Sequence, residues 1–134
     1  MAKALVQSNG RRKTSVARAT VTKGTGVFFV NNLPAEKYFS NDISLFKVQE
    51  PLIIADAQSK YDITVHVQGG GFNSQSDAVR QCIARALVEI TGNDSLKKTF
   101  LEYDRSMLVS DTRFKEMKKP NDSAARASRQ KSYR

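Results

Sequence analysis

Across residues 61–91 the spacing of apolar side chains changes from every second residue to every third or fourth, with three glycines at the changeover. No other stretch constrains the fold as strongly. In YDITVHVQ (61–68), Ile63, Val65 and Val67 fall on one face and Asp62, Thr64, His66 and Gln68 on the other, the alternation of a half-buried strand. Gly69-Gly70-Gly71 breaks that strand. Ser74 with Asp77 three residues later has the spacing of a capping box, with Ser74 as N-cap, and predicts a helix over 75–91. Its stripe is Ala78, Val79, Cys82, Ile83, Ala86, Leu87 and Ile90, and Gly92 is placed to end it.

Around this unit the pattern is shorter-ranged. VARATVT (16–22) and VFFV (27–30) read as two strands joined by a tight turn over Lys23–Gly26. Pro34 suits the first turn of a short helix, PAEKYF, because its missing N–H costs nothing there. Segment 43–56 fits helix and strand equally, with Pro51 interrupting Ile43, Phe46, Val48, Leu52, Ile53 and Ile54. A second helix over about 94–102 carries Leu96, Phe100 and Leu101. Strands, short helices, a strand and two helices in that order define an α+β class. The expected division is a globular domain over 1–104 and an extended basic tail over 105–134.

Charge locates the partner. The 134-residue chain has a formal charge of +9, and the excess lies at its ends. Residues 1–24 carry six bases and no acid, and residues 105–134 carry nine bases and three acids, whereas residues 25–104 carry seven bases and ten acids. Two separate cationic blocks of this density point to a polyanion. Residues 118–134 contain no Leu, Ile, Val, Phe or Met. They have nothing to bury against an ordering cost of about 1 to 2 kcal/mol per residue, so they should take shape only against a partner.

Several classes fall away on the same grounds. No apolar run approaches the roughly 20 residues of a membrane-spanning helix, and the short apolar stretch near the amino end does not make a secretory signal, so a cytoplasmic chain with no membrane partner is expected. One cysteine and one histidine make neither a disulfide framework nor a four-ligand zinc site. His66 points away from the core with no companion ligand, and Cys82 reads as a small core residue.

Two features could carry chemistry. A glycine triplet between a strand and a helix N-terminus can cradle a phosphate, here first a backbone-mediated contact to a nucleic-acid phosphate, with a structural turn that needs positive φ as the alternative. GGGFNSQSD lacks the G-x-x-x-x-G-K-[ST] spacing and any cation within the loop, which weakens a nucleotide-hydrolysing reading. Arg11, Arg12 and Lys13 stand just before the strand at 16–22, where side chains of an extended segment project alternately and can grip phosphates on two sides. Arg80 and Arg85 leave the helix by faces other than its apolar stripe, either as surface charges or as phosphate contacts.

Taken together, GRRKTSVARATV (10–21), Glu50-Pro51-Leu52, VHVQGGGFNSQSDAVRQCIARALVE (65–89), YDRSMLV (103–109), KKP (118–120) and QKSYR (130–134) resemble the S-nine family, the ninth protein of the small ribosomal subunit. YDRSMLV and QKSYR are similar to its archaeal and eukaryotic branch, with an archaeal source favoured. The resemblance implies a two-layer sheet-and-helix α+β domain like the second domain of ribosomal protein S-five, with a left-handed βαβ crossover. It implies a structural, non-catalytic constituent of the small-subunit head without cofactor or metal, not a homo-oligomer. Expected partners are 16S-type rRNA, neighbouring head proteins and the peptidyl-site tRNA. The rRNA contacts implied are Arg11, Arg12, Lys13, Arg18, Gly69, Gly70, Gly71, Arg80, Lys115, Lys118, Lys119, Arg126 and Arg129. Lys131, Tyr133 and Arg134 are the tRNA-proximal residues. One departure stands out: Asn121-Asp122-Ser123 occupies positions where the family carries glycines and bases.

A phosphate-handling enzyme built on the glycine loop, and a nonspecific basic partner of DNA or of anionic membranes, are the competing readings.

Overall fold

The computed structural model describes residues 5–120 and 124–132. The elements run β1 (Leu5–Arg12), β2 (Ser15–Lys23), β3 (Phe28–Val30), β4 (Leu33–Pro34), α1 (Ala35–Tyr38), α2 (Asp42–Ile54), β5 (Tyr61–Gln68), α3 (Phe72–Thr91) and α4 (Asp94–Tyr103), followed by a single 3-10 turn at Arg105–Met107. The α+β class expected from the element order is the one observed.

The sheet order is β1-β2-β5-β3-β4. β1 with β2, β2 with β5 and β3 with β4 are antiparallel, and β3 runs parallel to β5. β5 owes its place between β2 and β3 to its alternation: Ile63, Val65 and Val67 are buried on one face, Thr64 and His66 exposed on the other. α3 covers β1, β2 and β5, and α2 packs beside α3. The core lies between these layers, with Ala17, Ala19 and Val21 of β2 facing Val79, Cys82, Ile83, Ala86 and Leu87 of α3, all at or near zero exposure. Val21, Val79, Ile83 and Leu87 each contribute about 1.5 to 3 kcal/mol by leaving water, and the alanines less.

Three expectations are corrected and one open reading is settled. VARATVT and VFFV are strands but not a hairpin, because β5 lies between them. The connection is a loop held by one carboxylate: Asp62 Oδ1 accepts hydrogen bonds from the backbone N–H of Thr25 at 2.7 Å and of Gly26 and Val27 at 3.1 Å. A loop whose amides are satisfied by a neighbouring strand does not need to fold back on its own strand. The hairpin in the amino-terminal region is instead β1 to β2, with Lys13-Thr14 as the turn and Lys13 at φ 52. β1 escapes the alternation rule because its inward positions are Val6, Ser8, Gly10 and Arg12; a Cβ at Gly10 would strike the backbone of Ala78 and Cys82. Glycine there lets strand and helix touch.

α3 begins at Phe72 with Gly71 as N-cap and no side-chain cap, so the Ser74 capping box does not form. Asp77 is drawn instead to Lys47 and Arg12. Pro34 precedes α1 as its N-cap rather than standing in the first turn. Segment 43–56 resolves as helix α2, capped by Asn41, whose side chain accepts from Ile43 N–H at 3.0 Å. An interior proline costs about 3 kcal/mol in a helix; Pro51 is buried with Val48 and Leu52, and that packing offsets the cost. Gly92 ends α3 in the left-handed conformation, as its position predicted.

Candidate nucleic-acid interface

The glycine triplet meets the β1–β2 hairpin. Gly69 and Gly70 have φ of +79 and +65, and a Cβ on Gly69 would lie 2.5 Å from the Thr14 carbonyl, one on Gly70 against Ser15 Oγ. Buried Ser15 donates to the Gly69 carbonyl at 2.9 Å, and Gln75 donates to the same oxygen at 3.1 Å. Both the dihedrals and the close approach require glycine at 69 and 70. Gly71 is extended at φ −117 with open space where a Cβ would stand. One end of the molecule therefore gathers the Lys13 turn, the glycine segment and the start of α3, which lie apart in sequence.

Arg11 and Arg12 emerge next to this end on opposite faces of β1. Gln81, buried in α3, accepts from Arg11 N–H at 2.9 Å, and the Arg11 guanidinium lies 4.6 Å from the centroid of the Phe114 ring. Arg12 ion-pairs with Asp111 and approaches Asp77 at 3.8 Å. Arg18 is exposed on the sheet face opposite the helices, paired in register with His66 and Asn9.

Arg80 stands elsewhere. Its side chain, only 12% exposed, sits 2.6 Å from Glu50 and 2.6 Å from Asp104, and its guanidinium also donates to Ser106. Burial pushes the Asp104 carboxyl up, but hydrogen bonds from Arg80 and Ser106 outweigh it and hold the group below the usual carboxylate value. The Tyr103 hydroxyl donates to Glu50, and that bond together with the carboxylate charge raises the phenol above its ordinary pKa. Arg80, Glu50, Asp104 and Ser106 line a cleft of about 430 Å³ together with Arg11, Arg12, Lys47, Asp77, Asp111 and Arg113. Five cations there face four carboxylates.

Arg85 is a residue whose role the sequence left open. It donates to the carbonyls of Leu108 and Asn9 at 2.9 Å and to Ser110 Oγ at 2.8 Å. With Gln81 bonded to the Ser106 carbonyl and Met107 fully buried, it straps residues 105–111 onto α3. Asp111, Phe114 and Gln81 carried no signal in the sequence, and Asp77 carried one only for a helix cap; a lone acid or amide gives no sign of the cation it will meet. Beyond Asp111 the described chain is exposed and free of regular structure, apart from a half-covered Ala125. Lys115, Lys118, Lys119, Arg129 and Lys131 are exposed along it, and Arg126 meets Glu116 at 2.9 Å. Tyr133, Arg134 and the Asn121-Asp122-Ser123 departure lie outside the described residues.

Burial drives the Cys82 thiol up to about 11, which makes it inert core. Among the described residues no group of His, Cys, Asp or Glu is arranged to hold a metal ion, and no helix is long and apolar enough to cross a membrane.

A small α+β body with cations on a hairpin end, an open sheet face and a long extended segment defines the class of basic proteins that recognise a polyanion. The family model for ribosomal protein S9/S16 matches residues 10–134. Two relatives, both called small ribosomal subunit protein uS9, are similar over nearly their whole length. The one from Methanothrix thermoacetophila is 47% identical over 131 residues, covering 97% of this chain and 98% of its own. The one from Thermoplasma volcanium is 45% identical over 130 residues, covering 96% and 98%. The chain belongs to the ribosomal protein S9/S16 family. Members of this family are structural constituents of the small ribosomal subunit in the cytoplasm and are not enzymes, and the relatives are archaeal, as the resemblance implied.

Proposed function

We propose that the chain is a component of the small-subunit head that binds 16S-type rRNA with three surfaces and directs its carboxyl-terminal tail toward the peptidyl-site tRNA. The carrying observation is the separation of cations by their partners. Lys13, Arg18, Lys115, Lys118, Lys119, Arg129 and Lys131 are exposed and form no ion pair among the described residues, whereas Arg12 and Arg80 are held by carboxylates. The first group, with Arg11, has charge to offer phosphates. Arg126 joins it by exchanging Glu116, a pair too exposed to be worth more than about 1 kcal/mol. Gly69 and Gly70 support the contact indirectly by seating the Lys13 turn, and Gly71, with space around it, allows close approach of a phosphate. Arg80 is an internal strut on this reading.

The body extends through Asp111, where the straps from Arg85 and Arg12 end, and the tail follows. Lys131, Tyr133 and Arg134 are its tRNA-proximal residues. The connection from β3 through β4, α1 and α2 to its parallel neighbour β5 is, on this reading, the left-handed crossover that the S-five-like architecture would require. The chain acts as a single copy among other head proteins.

Binding of the full chain to an rRNA fragment of the head, measured between about 50 and 200 mM salt, should weaken along a straight log–log line whose slope counts phosphates at about 0.7 to 0.9 each. A flat response, or equal affinity for duplex DNA, overturns the assignment. Photocrosslinks from the last residues to tRNA in assembled subunits test the tail.

A further inference from the structure

The sheet has one face that no helix covers. Strand alternation and register set its outward side chains in rows, with Asn9, Arg18 and His66 side by side across β1, β2 and β5, and Gln7, Thr20, Thr64 and Phe29 in the next row. Arg18, Thr64 and His66 are exposed, and Phe29 is 37% exposed. Gln7, Arg18, Thr64, His66 and Gln68 form no side-chain hydrogen bond or ion pair among the described residues. Their donors and acceptors stay open.

Arg18 and His66 border a hollow of about 160 Å³ whose other walls are Val16, Asn31, Val67 and Gln68. None of these six is an acid. One wall is already fixed, because the Asn31 side chain accepts from Val67 N–H and donates to the Val67 carbonyl, both at 2.9 Å, and donates to the Tyr38 hydroxyl at 3.3 Å. Asp62, the acid on this face, has an oxygen bonded to the amides of Thr25, Gly26 and Val27. Glu89 lines a separate hollow toward β1, with Arg85 beside it. At the Asn31 hollow Arg18 is the one cation, too little for the backbone of a duplex, whereas imidazole, amide and phenyl groups recognise the faces and edges of bases that unpaired nucleotides present. An apolar protein surface would leave Arg18, His66 and Gln68 without partners. We propose that the open face of the sheet holds an unpaired segment of rRNA, with one base in the hollow against the His66 ring, its phosphate at Arg18, and Phe29 open to the neighbouring base. The inference rests on the rRNA reading above. It adds that the sheet takes single strand, while the hairpin end and tail take backbone charge.

His66 is the chain's one histidine, so its ring C–H signals in a proton NMR spectrum have no rival. Titrating the full chain with oligoadenylate should move them upfield, as a stacked adenine does, and an RNA duplex of equal length should leave them in place. His66→Ala should weaken oligoadenylate binding about tenfold and His66→Phe should restore it, with duplex affinity and the urea midpoint unchanged. An unmoved signal, equal shifts with both RNAs, a silent His66→Ala, or rescue by His66→Lys but not by His66→Phe overturns the proposal. In assembled small subunits, photoreactive benzoylphenylalanine in place of Gln68 should crosslink to an unpaired stretch of rRNA; a crosslink to a protein, or none, overturns it too. The salt dependence of head rRNA binding separates the two readings. A flat line there sinks rRNA binding as such, whereas a steep line with a silent His66→Ala sinks only the assignment of the sheet face.

Discussion

Arg80 and Lys119 carry the same charge and have opposite surroundings. Arg80 is almost covered and held between Glu50 and Asp104, whereas Lys119 stands exposed in a stretch without regular structure. A cation that already has two carboxylates gains little from a phosphate, since it must first give up those partners. One with only water around it releases counterions when it binds RNA. Cationic residues in a basic protein therefore fall into two populations, one holding the body together and one available to the partner, and composition does not separate them.

The sharpest way to break that comparison is to remove residues 118–134. Affinity for head rRNA should fall by about a hundredfold or more near physiological salt, while the thermal midpoint of the remaining body stays within the shift expected for about 0.5 kcal/mol. A large drop in the midpoint would mean that the tail belongs to the body. Replacing the strut is next in size. Arg80→Met leaves Glu50 and Asp104 without their cation and should cost about 2 kcal/mol in urea unfolding, with the salt slope of rRNA binding unchanged; a shallower slope would move Arg80 into the RNA-binding population.

Asp104 offers a pH-resolved version. Its folded-state pKa lies below the ordinary value, so its stabilisation is present above about pH 4 and fades as pH falls through the lower folded value. Asp104→Asn should therefore be less stable than the parent at pH 7, and the difference should shrink as pH falls below the ordinary carboxylate range and through the lowered folded value. A destabilisation that persists undiminished in acid would show that packing, not charge, is lost. The smallest effects belong to single exposed cations. Lys13→Ala and Arg18→Ala should each reduce the log–log salt slope by about 0.7 to 0.9 and leave the unfolding midpoint in urea where it was.

The same division governs how much was legible beforehand. The strand at 61–68, the stripe of α3 with its Gly92 stop, α4 and the cationic excess at both ends could be read directly, because periodicity, a left-handed cap and charge are local properties. β1 was missed because its inward positions include serine, glycine and arginine. α2 stayed ambiguous because only burial against α3 outweighs its interior proline.

The candidate site divides in the same manner. Lys13, Arg18 and the tail lysines could be picked as available cations from sequence, and the structure leaves them exposed. The roles of Arg12, Arg80 and Arg85 could not be read, since each depends on carboxylates or carbonyls distant along the chain. Nor could the seat of Gly69 and Gly70 on the Thr14-Ser15 corner. The chain by itself determined the strand at 61–68, helices α3 and α4 and where positive charge is plentiful, because these follow from neighbours within a turn or a strand. Only the tertiary structure decided that β5 separates β2 from β3, and which arginines keep their charge for a partner. Pairing depends on which remote residues the packed layers bring within a few ångströms.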